Sequence, residues 1–168
     1  MENNNIEYWL RGPVDGVPPL LQPVAHTLLQ ANAEIQDIVK DFPKENLWLR
    51  PEGVASVGFH LQHIVGVLDR LFTYSKGESL TAAQLDYLRN EGKENDALSP
   101  GNLLTALQHQ IQISIGYLTT VNEQKLTELR YVGRKQLPST LIGLLFHSAE
   151  HTMRHTGQLL VTARVLTL

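Results

Sequence analysis

In four separate stretches of this chain, apolar residues recur every third or fourth position between helix start and stop signals, which confines the fold to helix packed on helix. From Leu20 to Phe42 the series is Leu21, Val24, Ala25, Leu28, Leu29, Ile35, Ile38 and Val39; Pro18 and Pro19 suit its start and Pro43 stops it. Residues 44–55 hold Pro51 and Gly53, and Ser56 then suits the N-cap of a second helix reaching about Lys76, before Gly77. Thr81 with Gln84 fits a capping box opening a short helix to about Asn90. Ser99 and Pro100 open a third long helix to about Val121, with Leu103, Leu107, Ile111, Ile115 and Leu118 on one face. Glu123 to Leu137 shows no clear period and reads as an irregular crossing, after which Pro138 and Ser139 open a last helix running close to the C-terminus. No segment alternates convincingly with period two. The pattern predicts an all-α, antiparallel-type bundle of four long helices and one short one, over residues 18–168. Residues 1–17, with Asn3 to Asn5, two glycines and Pro13, read as an arm on which Trp9 and Leu10 could dock.

A length of 168 residues with 42% hydrophobic content suits one domain with a true core. The 14 basic residues against 17 acidic ones give a net charge of −3, so no basic field exists to hold nucleic acid or an anionic membrane. No window approaches the roughly 20 apolar residues of a membrane span. The opening residues, MENNNIEYWLRG, lack the basic and apolar regions of a signal peptide, which predicts a soluble, cytoplasmic protein. Cysteine is absent, so a metal ion would have to be held by His, Asp or Glu.

Five of the seven histidines fall in two short windows, His60 and His63 in GFHLQHI, and His147, His151 and His155 in FHSAEHTMRHTGQL. Residues four apart share a helix face, so the last three form a ladder whose neighbouring rungs can grip one ion. All three rungs span about 12 Å at 1.5 Å per residue, too far to share one ion at a nitrogen bond length of roughly 2.1 Å. Two rungs and a ligand from elsewhere are required. A lone HxxxH is commonly a surface or hydrogen-bonded pair, but Leu144, Leu145, Leu159 and Leu160 flank this ladder and turn its face inward, where unpaired imidazoles need partners. His63, among Phe59, Ile64 and Val67, is the candidate from another helix.

HLQHI on the second helix, with HxxxHxxxHxGQ on the last, resembles the DinB-like metal-binding bundles, also called the YfiT-like metal-dependent hydrolases. The resemblance covers about residues 20–166 and is carried by the two histidine windows with Gly157 and Gln158. It implies a four-helix bundle in up-down-down-up order, frequent homodimers, and a three-His site for nickel or zinc, with iron or manganese as alternatives. The matching ligands are His63, His151 and His155. Thr156 departs from the Arg that many relatives carry after the last ligand. Relatives include thiol transferases acting with low-molecular-weight thiols.

Three neutral imidazoles leave a divalent ion's charge uncompensated and a position open, which suits catalysis by activating water for hydrolysis or a thiol for transfer. The expected function is therefore a metal-dependent hydrolase or thiol S-transferase acting on a small molecule, with a non-catalytic binding module of the same fold as the alternative. His60 and His147, each one turn before a ligand, are candidates for hydrogen bonding to the ligands or for proton transfer. Gln158 could orient a substrate. Arg70 could face an anion or form an exposed pair with Asp69. Trp48 either walls the pocket or closes the core, and His26 and His109 carry no assigned role. HSAEH also matches the H-x-x-E-H string of a peptidase class, with Glu150 as base and His147 and His151 as ligands. That class needs a downstream Glu, and no acid follows Glu150. Haem ligation by two histidines is a more remote alternative.

Overall fold

Each of the five described α-helices begins where side chains or prolines supply what the first turn lacks. In the computed structural model, which describes residues 6–167, α1 (Gln22–Val39) follows the 3-10 turn Pro19–Leu21. The Ser56 hydroxyl accepts the Phe59 N–H at 3.1 Å to open α2 (Val57–Ser75). Reciprocal boxes, Thr81 with Gln84 and Ser99 with Asn102, open α3 (Ala82–Asn90) and α4 (Pro100–Leu118). The last helix, α5, runs from Leu141 to Thr167. Asn3 to Asn5 of the leading arm lie outside the described residues. The rest of the arm is laid along α1: the Tyr8 N–H donates to Gln30 Oε1 at 3.0 Å, and His26 Nε2 lies 3.0 Å from the Gly12 carbonyl. Trp9 and Leu10 nevertheless stay exposed.

α5 packs on α1 and α2, and α4 packs on the same two from the opposite side. Directions follow from which ends meet. The Asn46 amide, just beyond α1, donates to the Leu166 carbonyl near the end of α5, so these two helices run parallel. Phe72 and Tyr117 meet edge to face near the ends of α2 and α4, a second parallel pair. The Thr162 hydroxyl reaches the Ala55 carbonyl, setting α5 antiparallel to α2, and Gln36 near the end of α1 reaches Leu104 near the start of α4. The chain is thus an all-α four-helix bundle in up-down-down-up order. Leu28, Ile35, Leu61, Ile64, Leu68, Leu107, Ile111, Leu145 and Leu159 fill its centre at 0–2% exposure. Each such side chain contributes about 1.5–3 kcal/mol of hydrophobic stabilisation. Trp48 closes this core beside Gly58, where an added Cβ would come within 2.5 Å of the indole. None of the described helices is long and apolar enough to cross a membrane.

One segment departs from the sequence reading. The crossing contains an antiparallel hairpin, β1 (Leu129–Val132) with β2 (Leu137–Thr140), in which Tyr131 faces Pro138. Its alternation is inverted: Leu129, Tyr131 and Leu137 face solvent, while the Arg130 guanidinium turns inward and donates to the Ser75 carbonyl at 2.7 Å. A pattern search for inward apolar residues passes over such strands. Pro138 and Ser139 consequently belong to β2, and the cap of α5 is the Thr140 hydroxyl, which accepts the Gly143 N–H at 3.1 Å.

Candidate metal centre

Because α2 and α5 run antiparallel, one turn of each presents histidines to the other. His63 from α2 meets His151 and His155 from α5, and one ring nitrogen of each lies within 4.8 Å of the other two. His63 Nε2 and His151 Nε2 stand 3.0 Å apart, and the His63 and His155 ring centroids are 4.5 Å apart. The ladder behaves as helix geometry requires, with two rungs at the centre and the third outside.

The other nitrogens of these rings set what each can do. His63 Nδ1 faces Glu91 Oε2 at 2.7 Å, and Phe59 stacks on the His63 ring at 5.0 Å with planes 13° apart. His155 Nδ1 lies 2.9 Å from His60 Nδ1. His60, 3% exposed, thus touches His155 rather than His63, its neighbour along the chain. His151 Nδ1 is buried with no hydrogen-bond partner. Burial, and secondly the charge His63 would carry, push the His155 imidazole down to about 3 and those of His60 and His151 down to about 4. At neutral pH these three rings are neutral, which is the state a metal requires of its nitrogen donors.

These residues fit a divalent ion. Three imidazoles that each offer a nitrogen within 4.8 Å of the others, with one buried His151 nitrogen left without a partner in the protein, form a nitrogen donor set of the kind that holds a divalent ion. His147, Glu150 and His151 also converge, but His151 is shared with the first group, and Glu150 is held by Arg154 and by His147 Nδ1 at 3.2 Å. His147 itself is half exposed at the rim. Gln158 is exposed and lines a cavity of about 530 Å³ together with His60, Val54, Ala55, Arg154, Gly157, Val161 and Thr162. Thr156 is turned into the core, where its hydroxyl donates to the Thr152 carbonyl at 2.8 Å.

Arg70 forms no exposed pair with Asp69. It is buried, and its Nη1 lies 2.5 Å from Glu91 Oε1, so the anion it faces is the carboxylate that also holds His63. Glu91 escaped the sequence reading. It sits just past α3, 28 positions from His63, and nothing in its local pattern separates it from a solvated acid at a helix end.

The sequence model of the DinB superfamily matches residues 27–159. No curated protein sequence matches the chain. Among solved structures, a conserved protein from Enterococcus faecalis superposes with a TM-score of 0.67 at 17% identity, covering 88% of this chain and 97% of that one. YfiT from Bacillus subtilis, described as a probable metal-dependent hydrolase with an unusual four-helix bundle topology, superposes at 0.64 with 15% identity, covering 96% of this chain and 97% of its own. At such identities the likeness is one of fold.

Proposed function

The chain belongs to the DinB superfamily, and on that premise we propose that it is a metal-dependent enzyme, a hydrolase or thiol S-transferase, whose ion is held by His63, His151 and His155. The observation that carries this reading is the convergence of three imidazoles from two helices, with a buried nitrogen of His151 left unpartnered. The YfiT likeness supports the hydrolase branch through the description that protein carries. Nitrogen donors suit nickel or zinc first, and iron or manganese after them. Such an ion, when bound, activates water or a thiol as nucleophile.

The chain's own groups supply the rest. The cavity beside His60 is walled largely by Val54, Ala55, Val161 and the flank of α5, which supports a small substrate with an apolar part there and the Gln158 amide as its orienting group. His60, neutral at pH 7 and lining that cavity, is the group we assign to proton transfer, with His147 at the rim as the lesser candidate. Arg70 is occupied by Glu91 and stands behind His63. The test is to screen the zinc- and nickel-loaded protein against esters and amides, and against electrophiles with low-molecular-weight thiols. Turnover in either set that is lost in His151→Ala is the expected result.

A non-catalytic binding module is the second reading, and one observation favours it. Both carboxylates that touch these histidines are held by arginines, Glu91 by Arg70 and Glu150 by Arg154, so neither stands free as a general base. Metal binding without turnover in both screens would select it. We also propose a homodimer. The apolar face of α1 is consumed inside the bundle and does not support one, whereas exposed Phe146, Val161 and Val165 on α5 do. A sedimentation profile showing only monomer at micromolar concentration would reject the dimer.

A further inference from the structure

Glu91 is more deeply set than its place just beyond a short surface helix would suggest. Its side chain is 4% exposed, and both carboxylate oxygens are engaged: Oε1 by Arg70 at 2.5 Å and Oε2 by His63 at 2.7 Å. α3 and the turn that carries Glu91 are tied to α2 by two further hydrogen bonds. The Gly92 N–H donates to Gln62 Oε1 at 2.7 Å, and the Tyr87 hydroxyl donates to the Gln62 carbonyl at 3.2 Å. Gly92 has φ +75° and no room for a side chain, since a Cβ would meet Phe59 at 2.7 Å, and Phe59 is the ring stacked on His63. The passage to His63 also requires Gly66, where a Cβ would collide with the Glu91 carboxylate and come within 2.6 Å of Arg70. Two glycines, a clamp of hydrogen bonds and a buried arginine thus converge on one carboxylate aimed at one imidazole nitrogen.

Resting on the proposed metal centre, we propose that Glu91 is the positioning residue that holds His63 as its Nδ1–H tautomer and so aims a lone pair on Nε2 at the centre. A carboxylate only accepts hydrogen bonds, so the His63 nitrogen facing it must carry the proton. The unprotonated Nε2 is then the nitrogen that faces His151. Arg70, which only donates, occupies the other oxygen and keeps the carboxylate from turning away. Neutral histidine in solution exchanges between its two tautomers; here the choice is made before any ion arrives.

The chemistry of glutamine provides a specific test. In Glu91→Gln, Arg70 still demands an acceptor and takes the amide oxygen, so the NH2 group is left facing His63 Nδ1. That amide donates, and it drives the ring to the opposite tautomer, Nε2–H. Nitrogen-15 NMR of the imidazoles in the metal-free protein reads this directly, and calorimetric titration with zinc reads the consequence. Wild type is expected as Nδ1–H, Glu91→Gln as Nε2–H with zinc affinity lowered 10- to 100-fold. Adding Arg70→Met to Glu91→Gln frees the amide to turn its oxygen toward His63, so part of the affinity should return. Gly66→Ala, which evicts the carboxylate without altering it, should abolish the Nδ1–H preference and gives a second route should Glu91→Gln fold poorly. An unchanged His63 tautomer in Glu91→Gln, with or without a loss of zinc affinity, overturns the proposal and leaves Glu91 as a brace for α3. If wild type binds neither zinc nor nickel, the metal reading fails, while the tautomer comparison still decides whether Glu91 sets the ring.

Discussion

Removal of His155 should abolish stoichiometric metal binding, whereas removal of His147 should leave it nearly intact, although both are histidines of the same ladder. His155 offers a nitrogen to the central group, and its other nitrogen meets His60 at 2.9 Å. His147 lies outside that group, half exposed and paired to Glu150. His60 falls between them: it touches the candidate ligand His155 and is 3% exposed, so His60→Phe should cost about 10- to 100-fold in affinity, or roughly 1.4–2.7 kcal/mol. Thermal melts convert this order into a second readout. Free metal at about 100 times Kd stabilises the folded state by about 2.7 kcal/mol. For a chain of 168 residues, each kcal/mol moves Tm by about 2–4 °C, so wild type should gain roughly 5–11 °C. His147→Ala should gain nearly as much, His155→Ala nothing. Calorimetric titration with zinc and nickel gives the stoichiometry independently. Full-strength binding by His155→Ala together with none by His147→Ala would refute the assignment and restore the H-x-x-E-H arrangement with Glu150.

Three further predictions concern the scaffold. The metal-free protein should lose stability as pH falls from about 6.5 toward 4, because His60, His151 and His155 stay neutral in the fold while the unfolded chain takes up protons. Above pH 7 their contribution is flat; at about pH 5.5 His60 alone should cost roughly 1 kcal/mol, and denaturant melts showing no loss across this window would contradict the burial of these rings. Gly58→Ala forces a Cβ to within 2.5 Å of Trp48 and should destabilise by about 1–3 kcal/mol, visible in Tm and in tryptophan fluorescence. Ser99→Ala removes the hydroxyl that accepts the Asn102 N–H at the head of α4 and should cost about 0.5–2 kcal/mol; an unchanged denaturation midpoint would show that the cap adds nothing.

How much of this was legible in the sequence depended on whether the governing geometry is local. Ser56, Thr81 and Ser99 cap helices through contacts three residues away, so those starts could be read at once. The ladder of His147, His151 and His155 was equally legible, since a helix alone fixes which rungs are neighbours. The hairpin at 129–140 was not, because it turns Arg130 inward and Leu129, Tyr131 and Leu137 outward, against the usual sign of the pattern. His60 was found as a candidate but tied to its chain neighbour His63; only the antiparallel crossing of α2 and α5 sets it against His155.

Glu91 marks where local reading ends. Its two partners, Arg70 and His63, lie seven residues apart on α2, two turns of one face, and that half of the arrangement is a helix property. What brings a carboxylate between them is the return of the chain over that face by α3, and what allows it to enter is a missing side chain at Gly66. An isolated glycine inside a helical stretch costs about 1 kcal/mol of helix stability relative to alanine, so Gly66 is a weak point in the pattern of α2, although a helical glycine alone does not announce a contact: at Gly116 and Gly157 an added Cβ would meet nothing. At 66 an added Cβ would meet the carboxylate bonded to a candidate metal ligand. The weak point in the helix pattern was therefore the local trace of the contact, and it could be read only once the neighbour that fills the gap was in place.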